Sequence, residues 1–221
     1  MTKDFKNVEL VSNPLVEHNL SIIRNKNTDS VLFRNSIKNL SIILGIESTK
    51  NLPLKDVEVE TPIQKTNVKI IDKENTNIFI VPILRAGLGI AEHIYEILPF
   101  STIQHLGMYR DEKTLQPVWY YNKLPNSFKN VENTFVYICD PMLATGGSIT
   151  EAIKLYIEKG IPEQNITILN IISAPEGIKK VINNFPKVKI YTTSIDKKLN
   201  EKGYITPGLG DAGDRIFNTI Y

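Results

Sequence analysis

A loop suited to phosphate follows an apolar run in the segment YICDPMLATGGSI, at positions 137–149. The run ends at Asp140, and TGGS at 145–148 opens a stretch with helical periodicity. The first N–H groups of a helix lack partners within the helix, and glycines let them approach an anion closely. Thr145 and Ser148 add hydroxyl donors. The pattern predicts a site for a phosphate monoester; the alternative is an ordinary helix start that Ser148 merely caps.

Asp140 adds a second ingredient to this loop. A carboxylate at the end of a strand can accept hydrogen bonds from both vicinal hydroxyls of a ribose whose 5-phosphate lies in the loop. The alternative is a turn-forming aspartate before Pro141. A Walker A loop is excluded, because no Gly-Lys-Ser/Thr follows the glycines. The residues therefore favour a ribose phosphate as the ligand.

Three segments resemble the motifs of one enzyme family. DPMLATGGS, with its preceding strand, resembles the phosphoribosyl pyrophosphate (PRPP) binding motif of type I phosphoribosyltransferases, in the version found in uracil phosphoribosyltransferases. VPILRAGLG resembles their pyrophosphate-binding loop, and YITPGLGDAGDR resembles their uracil-binding segment. LPLKDVEVETP and HLGMYRDEKTLQPVWYYNKLP also match, so the resemblance covers nearly the whole chain. Pro141 stands where most type I relatives carry a second acidic residue, a departure typical of the uracil enzymes.

The resemblance implies an activity and a set of site residues. The activity is the transfer of the phosphoribosyl group of PRPP to uracil, which gives UMP and pyrophosphate in pyrimidine salvage. The residues with implied catalytic roles are Arg85, Arg110, Asp140 and Asp211. The implied PRPP contacts are Arg85, Arg110, Asp140, Pro141, Met142, Leu143, Ala144, Thr145, Gly146, Gly147, Ser148 and Asp211. The implied uracil contacts are Ile205, Gly210, Asp211 and Ala212. No side chain is implied as a metal ligand, and Mg²⁺ is expected to bind mainly through PRPP.

Arginine is scarce in this lysine-rich chain, and two of the arginines follow predicted strands. Arg85 precedes Ala86 and Gly87, where little side-chain bulk hinders the approach of a phosphate, and Arg110 follows another strand. Preorganised cations there would stabilise the charge that builds on a leaving pyrophosphate. Taken alone, each is more readily a surface arginine; the match of both to the PRPP-contacting arginines of the family reverses that preference. In the family the peptide bond beside the first of them is often cis.

GLGDAG, at 208–213, formally satisfies the dinucleotide fingerprint G-x-G-x-x-G. We expect no dinucleotide site, because no strand directly precedes the motif and too little sequence follows it for the required helix, strand and acidic residue. Uracil presents an acceptor–donor–acceptor edge that backbone N–H and C=O groups can match. The segment 200–215 is therefore interpreted as a base-binding flap; the alternative is a disordered terminus. Thr206 replaces the valine usual in relatives, which we expect to be tolerated.

Charge and cysteine content weigh against several other functions. The formal net charge is +2 over 221 residues with no polybasic block, so we expect no nucleic-acid partner. No apolar leader and no run of about 20 apolar residues is present, so we expect a cytoplasmic protein without membrane contact. The single cysteine, Cys139, lies in an apolar run typical of a buried filler. The remaining alternatives are a purine or orotate phosphoribosyltransferase and an RNA-binding regulator with the same fold.

The elements that position these residues follow an α/β pattern. Apolar strands alternate with amphipathic helices over 77–195, which predicts a parallel-core sheet like that of type I phosphoribosyltransferases, flanked by helices. Residues 1–50 predict an N-terminal helical extension, whose second helix is capped by Thr28 or Asp29. Two alternating segments after it predict a hairpin, and TLQPVWYYNKLP, which contains Pro117, predicts an edge strand or a β-hairpin excursion.

All of these elements fit a single domain over 1–221. The family resemblance further implies a homodimer or higher homo-oligomer and names GTP as a candidate allosteric effector. The N-terminal helices and the TLQPVWYYNKLP segment are the candidate interface.

Overall fold

A mostly parallel sheet forms the centre of the protein in a computed structural model, which describes residues 5–110 and 117–219. The strands are β1 (Val8–Leu10), β2 (Leu54–Glu60), β3 (Lys65–Ile71), β4 (Asn77–Leu84), β5 (Thr102–Ile103), β6 (Leu106–Arg110), β7 (Pro117–Asn122), β8 (Thr134–Cys139), β9 (Met142–Leu143), β10 (Ile166–Ser173), β11 (Lys189–Ile195), β12 (Lys198–Leu199) and β13 (Ile205–Thr206). The helices are α1 (Pro14–Arg24), α2 (Ser30–Ser48), α3 (Leu88–Ile97), α4 (Gly147–Glu158), α5 (Pro175–Asn184) and α6 (Ala212–Phe217). The predicted α/β fold is confirmed.

The main sheet has the strand order β1-β11-β10-β8-β4-β6-β7, with β5 beside β4 and β9 beside β10. β4, β8, β10 and β11 pair in parallel, whereas β7 pairs antiparallel with β6 at the edge. Pro117 is the first residue of β7, where an edge strand tolerates the missing N–H, as predicted. β2 and β3 form the predicted hairpin as a separate antiparallel sheet.

Helices cover both faces of the main sheet, because side chains along each strand alternate between two apolar layers. In β4, Ile78 and Ile80 join the layer formed with α1, α2, α3 and α6, while Phe79 and Val81 join the layer of α4 and α5. β10 is buried along its whole length, as expected of a strand covered on both faces. None of the helices in the described residues is both long and apolar enough to cross a membrane.

The N-terminal helices are part of the first layer. Asn13 caps α1, and Asp29, one of the two predicted caps, begins α2 by accepting from the Leu32 N–H at 2.8 Å. α2 buries one side against the sheet and α3, with Leu40 and Leu44 fully covered. The helical extension predicted from the sequence therefore supplies core side chains.

Four short elements, β1, β12, β13 and α6, fall outside the sequence-based predictions. β1 extends the sheet edge by pairing in parallel with β11. β12 and β13 pair antiparallel within the Gly- and Pro-rich tail, and the short helix α6 follows them. Segments of two to six residues are too short to show a helical or strand period.

Cys139 ends β8 as a core residue, as predicted. β8 lies between β4 and β10, and the Cys139 side chain is fully buried there. Burial raises the pKa of its thiol. A buried thiol that resists ionisation is neither a nucleophile nor a metal ligand.

Leu40→Ala should lower the free energy of unfolding by about 2–5 kcal/mol, because it leaves a cavity beneath α2. Leu32→Ala is the matched control on the same helix. Leu32 is 45% exposed, so its truncation should change the free energy by less than about 0.5 kcal/mol. Urea unfolding followed by circular dichroism measures both. Equal effects of the two substitutions would contradict the packing of α2 against the sheet.

Candidate active site

Three segments of the chain enclose one cleft of about 230 Å³ at the carboxyl ends of β4 and β8. They are the loop after β4, the loop after β8 with the start of α4, and the tail around β13 and α6. The lining residues are Ala86, Asp140, Met142, Leu143, Ala144, Thr145, Gly146, Gly147, Ser148, Ile149, Gly203, Tyr204, Ile205, Gly210, Asp211, Ala212 and Gly213. The fold thus brings the predicted phosphate loop and the predicted flap to the same place.

The loop after β4 is packed tightly against the neighbouring strand. The peptide bond between Leu84 and Arg85 is cis, which places it on the N-terminal side of the arginine. The Gly87 N–H donates to the Ile83 C=O at 2.9 Å. A Cβ on Gly87 would lie 2.3 Å from the carbonyl oxygen of Cys139, so a larger residue would force the two loops apart.

Asp140 follows β8 with its backbone fixed on both sides. Its N–H donates to the Leu169 C=O at 3.2 Å, and its C=O accepts from Nδ2 of Asn170. Its Oδ1 accepts from the Met142 N–H at 3.1 Å. Burial raises the pKa of the Asp140 carboxyl to about 7; the Met142 N–H opposes this shift and the nearby charge of Asp211 adds to it. The carboxyl is therefore divided between its protonated and ionised forms near neutral pH.

The phosphate loop enters α4 through Gly146, whose φ of 75° is the left-handed conformation that favours glycine. A Cβ on Gly146 would also lie 3.0 Å from the carbonyl oxygen of Gly177. Ser148 lies inside the first turn, and the N-cap residue Gly146 has no side chain that could accept from it. The hydroxyl oxygen of Thr145 accepts from the Gly147 N–H at a long 3.5 Å. The interpretation of Ser148 as an ordinary cap is therefore wrong. A first turn whose N-cap lacks a side chain and that lines a cleft is the arrangement an anion-binding helix start requires.

The residues between Asp140 and the TGGS sequence divide into one supporting residue and three lining residues. Pro141 is buried, and its C=O accepts from the N–H groups of Ile171 and Ile172, both at 3.0 Å. It ties the loop to β10 and is not among the lining residues, whereas 142–144 line the cleft. The predicted PRPP contact at Pro141 therefore corresponds in the fold to a backbone support.

The tail forms the opposite wall of the cleft as a compact turn. The peptide bond between Thr206 and Pro207 is cis. Gly208 and Gly210 follow with φ of 64° and 85°. A Cβ on Gly208 would lie 2.2 Å from the carbonyl oxygen of Ile205, so the turn closes on itself without room for a side chain.

α6 begins directly after this turn. Asp211 caps it by accepting from the Asp214 N–H at 2.9 Å, which fixes its carboxylate at the edge of the cleft. Every predicted uracil contact lies on this wall: Ile205, Gly210, Asp211 and Ala212.

Of the two predicted catalytic arginines, Arg85 has a described side-chain contact, whereas only the backbone position of Arg110 is described. Nη2 of Arg85 donates to Oδ1 of Asp214 at 3.2 Å, and both side chains are partly exposed. This ion pair joins the loop after β4 to α6, and Arg85 is not among the residues that line the cleft. Arg110 is the last residue of β6, and its side chain lies outside the described part of the chain.

Sequence reasoning missed several residues of the site. Ala86 and Gly213 line the cleft, and Tyr204 lies where the tail meets it. Small apolar residues carry no chemical signal in a sequence, so only their place within the matched motifs points to them. Asp214, the partner of Arg85, lies within the matched tail motif, but it is 129 positions from Arg85 and no local pattern pairs the two.

Asp140 and Asp211 are the carboxylates among the lining residues. Carboxylate oxygens suit Mg²⁺, which usually keeps several waters and binds substrate phosphates. Within residues 5–110 and 117–219, no group of three or more acidic, histidine or cysteine side chains could hold a metal ion. The donor set therefore fits a Mg²⁺ whose other ligands come from substrate and water.

Comparison with known proteins gives concordant matches. A sequence model of the uracil phosphoribosyltransferase family matches residues 10–219. A uracil phosphoribosyltransferase of Clostridium botulinum is 49% identical over 209 residues, which cover 95% of this chain and 97% of that protein. A solved structure of an Aquifex aeolicus protein has a TM-score of 0.87 at 35% identity and covers 97% of this chain and 100% of its own.

A more distant structure shares the fold alone. The adenine phosphoribosyltransferase of Trypanosoma brucei, solved with AMP, pyrophosphate and ribose-5-phosphate, has a TM-score of 0.53 at 11% identity. The match covers 86% of this chain and 84% of that one. The parallel-core sheet is thus shared with a phosphoribosyltransferase of another base specificity.

Asp140→Asn should stabilise the protein by an amount that grows as the pH rises from about 4 to 7. The folded pKa of about 7 lies above the unfolded value of about 3.9. As the pH rises through this range, the unfolded state ionises before the folded state does, so the free energy of unfolding of the wild type falls until the pH passes the folded pKa. Asparagine keeps the Oδ1 acceptor but carries no charge. Urea unfolding should show a gain about 2–3 kcal/mol larger at about pH 8 than at about pH 4. A gain independent of pH would contradict this account.

Proposed function

Since this chain belongs to the uracil phosphoribosyltransferase family, we propose how the residues of its cleft carry out the family's reaction. The enzyme is a pentosyltransferase that transfers the phosphoribosyl group of PRPP to uracil and releases UMP and pyrophosphate. One observation supports the assignment of roles below: a single cleft joins the phosphate loop to the tail.

The 5-phosphate of PRPP binds at the first turn of α4. Backbone N–H groups and the helix dipole attract the anion, Gly146 and Gly147 allow its close approach, and the hydroxyls of Thr145 and Ser148 donate to it. Asp140 accepts from the two ribose hydroxyls. These donors favour the ionised carboxyl, so PRPP binding lowers the pKa of Asp140 and weakens as the pH falls below about 7.

The pyrophosphate of PRPP lies between the loops that carry Arg85 and Arg110. Negative charge builds on it as its bond to the anomeric carbon lengthens, and guanidinium donors stabilise that charge in the transition state. Nη2 of Arg85 donates to Oδ1 of Asp214 at 3.2 Å. When PRPP binds, Arg85 therefore exchanges this carboxylate for the more highly charged pyrophosphate group. The role of Arg110 rests on the family motif and on its place at the end of β6.

Uracil lies against the flap, where the backbone N–H and C=O groups of Ile205 and of 210–212 match its acceptor–donor–acceptor edge. The bond between the anomeric carbon and pyrophosphate breaks, and N1 of uracil forms the new bond to that carbon. The N1 proton passes to an oxygen of the departing pyrophosphate. The ribose carries positive character between these events. The carboxylates of Asp140 and Asp211, on opposite walls of the cleft, stabilise it.

Asp140 and Asp211 are the carboxylates that would help to hold a Mg²⁺ ion brought mainly by PRPP oxygens and water. When bound, the ion neutralises phosphate charge.

Pyrophosphate and phosphate groups cross lipid poorly, so the proposed site of action is the cytoplasm. The family also suggests a homodimer or larger homo-oligomer with GTP as an effector. Light scattering measures the molecular mass of the oligomer, and its comparison with and without GTP tests whether GTP changes the oligomeric state.

Uracil should be converted at least about a hundredfold more efficiently than cytosine, hypoxanthine or orotate. Cytosine places a donor where uracil has an acceptor, hypoxanthine is larger, and orotate brings a carboxylate that the flap cannot pair. Product formation from PRPP and each base, with Mg²⁺ present, is followed by chromatography. Faster use of orotate or a purine base would overturn the assignment, and retention of RNA at physiological salt would favour the RNA-binding alternative.

Ser148→Ala should weaken PRPP binding by about tenfold and leave the Michaelis constant for uracil nearly unchanged, because it removes one donor from the helix start that lines the cleft. Ala212→Val should raise the Michaelis constant for uracil and leave PRPP binding nearly unchanged, because Ala212 is buried in the flap wall and a larger side chain crowds it. Gly146 is a poorer test, since its positive φ would strain any other residue. Calorimetry with PRPP and uracil kinetics measure both. The same response in both variants would contradict two separate subsites.

A further inference from the structure

The end of α1 is joined to the tail by a hydrogen-bonded charge pair. Arg24, the last residue of α1, donates from Nη2 to Oδ1 of Asp196 at 2.6 Å and from Nη1 to Oδ2 at 2.9 Å. Asp196 follows β11, and its side chain is only 3% exposed. Ser194 bonds to both partners at 2.9 Å. Paired donors on paired acceptors define the geometry of both side chains.

Both members of this pair also hold the backbone of one flap residue. Nη1 of Arg24 donates to the Gly208 C=O at 2.9 Å, and the Gly208 N–H donates to Oδ2 of Asp196 at 2.7 Å. Gly208 follows the cis peptide bond and precedes Gly210, which lines the cleft. The pair therefore fixes the turn on the side away from the base, without itself lining the cleft.

A second arginine strengthens the same connection. Arg215 donates to the Leu209 C=O at 2.8 Å, to the Asn25 C=O at 2.7 Å and to the Ile23 C=O. Its guanidinium also lies 4.3 Å from the centre of the Phe33 ring. The carbonyls at the end of α1, which lack helical partners, thus accept from the tail.

The charges of this network favour the clamped geometry. Burial alone would raise the pKa of Asp196, but the hydrogen bonds from Arg24 and the Gly208 N–H outweigh it and hold the pKa below its usual value. Lysine has no planar fork and could not reach both carboxylate oxygens and the Gly208 carbonyl together. Arg24→Lys therefore keeps the charge but loses part of the clamp.

We propose that Arg24 and Asp196 are positioning residues for base recognition, which act through Gly208 to hold the flap at the distance uracil requires. This inference rests on the proposed role of the flap in reading the base. Within residues 5–110 and 117–219, the hydrogen bonds and ion pair made by the two side chains reach neither the phosphate loop nor the loop after β4, so their loss should affect uracil selectively.

The test compares Arg24→Lys and Asp196→Asn with Ser194→Ala. Ser194 touches both charges but not Gly208, so it is the matched control. Both clamp variants should raise the Michaelis constant for uracil by about tenfold and leave PRPP binding unchanged. Hydrogen exchange of the peptide 203–211 should become faster in the same two variants. The control should change neither, and thermal unfolding with PRPP present identifies any variant that fails to fold.

The outcomes separate this inference from the proposed function. Unchanged exchange in folded Arg24→Lys and Asp196→Asn proteins would overturn the clamp. Faster exchange with an unchanged Michaelis constant for uracil would overturn the positioning role. In that case Ala212→Val distinguishes the cause: a raised Michaelis constant there leaves the flap as the base reader, and an unchanged one shows that the flap does not read the base. Equal weakening of uracil and PRPP binding would also contradict the proposal.

Discussion

Parallel pairing of β4 with β8 is the constraint on which the site depends. Pro82 lies opposite Cys139, so β8 ends two residues before the level at which β4 ends, and the loops after the two strands leave the same edge of the sheet. Gly87 then packs against the Cys139 carbonyl at a separation that admits no side chain. Backbone contact, which tolerates little variation, therefore sets the distance between the two loops. The register of the two strands therefore fixes where the loops after β4 and β8 lie relative to each other.

The opposite wall of the cleft is held by a different kind of interaction. The tail has only a short ladder and a short helix of its own. Hydrogen bonds from Arg24 and Arg215 connect it to α1, and buried side chains such as Leu209 and Ile216 pack into the core layer beside α2. Hydrogen bonds of this kind contribute modestly when made but are expensive when one partner is lost. One wall is therefore held by strand pairing, and the other by hydrogen bonds to α1 together with a few buried apolar side chains.

The sequence was most informative where structure and chemistry are local. The apolar runs of β4, β8 and β10, the amphipathic helices between them and the cap at Asp29 all act over a few residues, and each could be predicted. The phosphate loop could be predicted for the same reason, since its residues are nearly contiguous.

Contacts between distant parts of the chain could not be predicted. Arg24 and Asp196 are 172 positions apart, and no pattern in either segment names the other. β1 depends on β11 for its existence, because three residues show no period. Pro141 supports the loop through its carbonyl, and the partner of a backbone group is not encoded by residue type.

The burial of Cys139 has a practical consequence for handling this enzyme. The chain carries one cysteine, and its thiol lies within the sheet one residue before Asp140. Cysteine oxidation begins with an exposed thiolate, so Cys139 of the folded enzyme should resist peroxide and need no reducing agent. A thiol-reactive dye would reach Cys139 only when the sheet opens, and its labelling rate would report how often β8 separates from the neighbouring strands β4 and β10. The protein thus contains its own single-site probe of opening, adjacent to the site it would monitor.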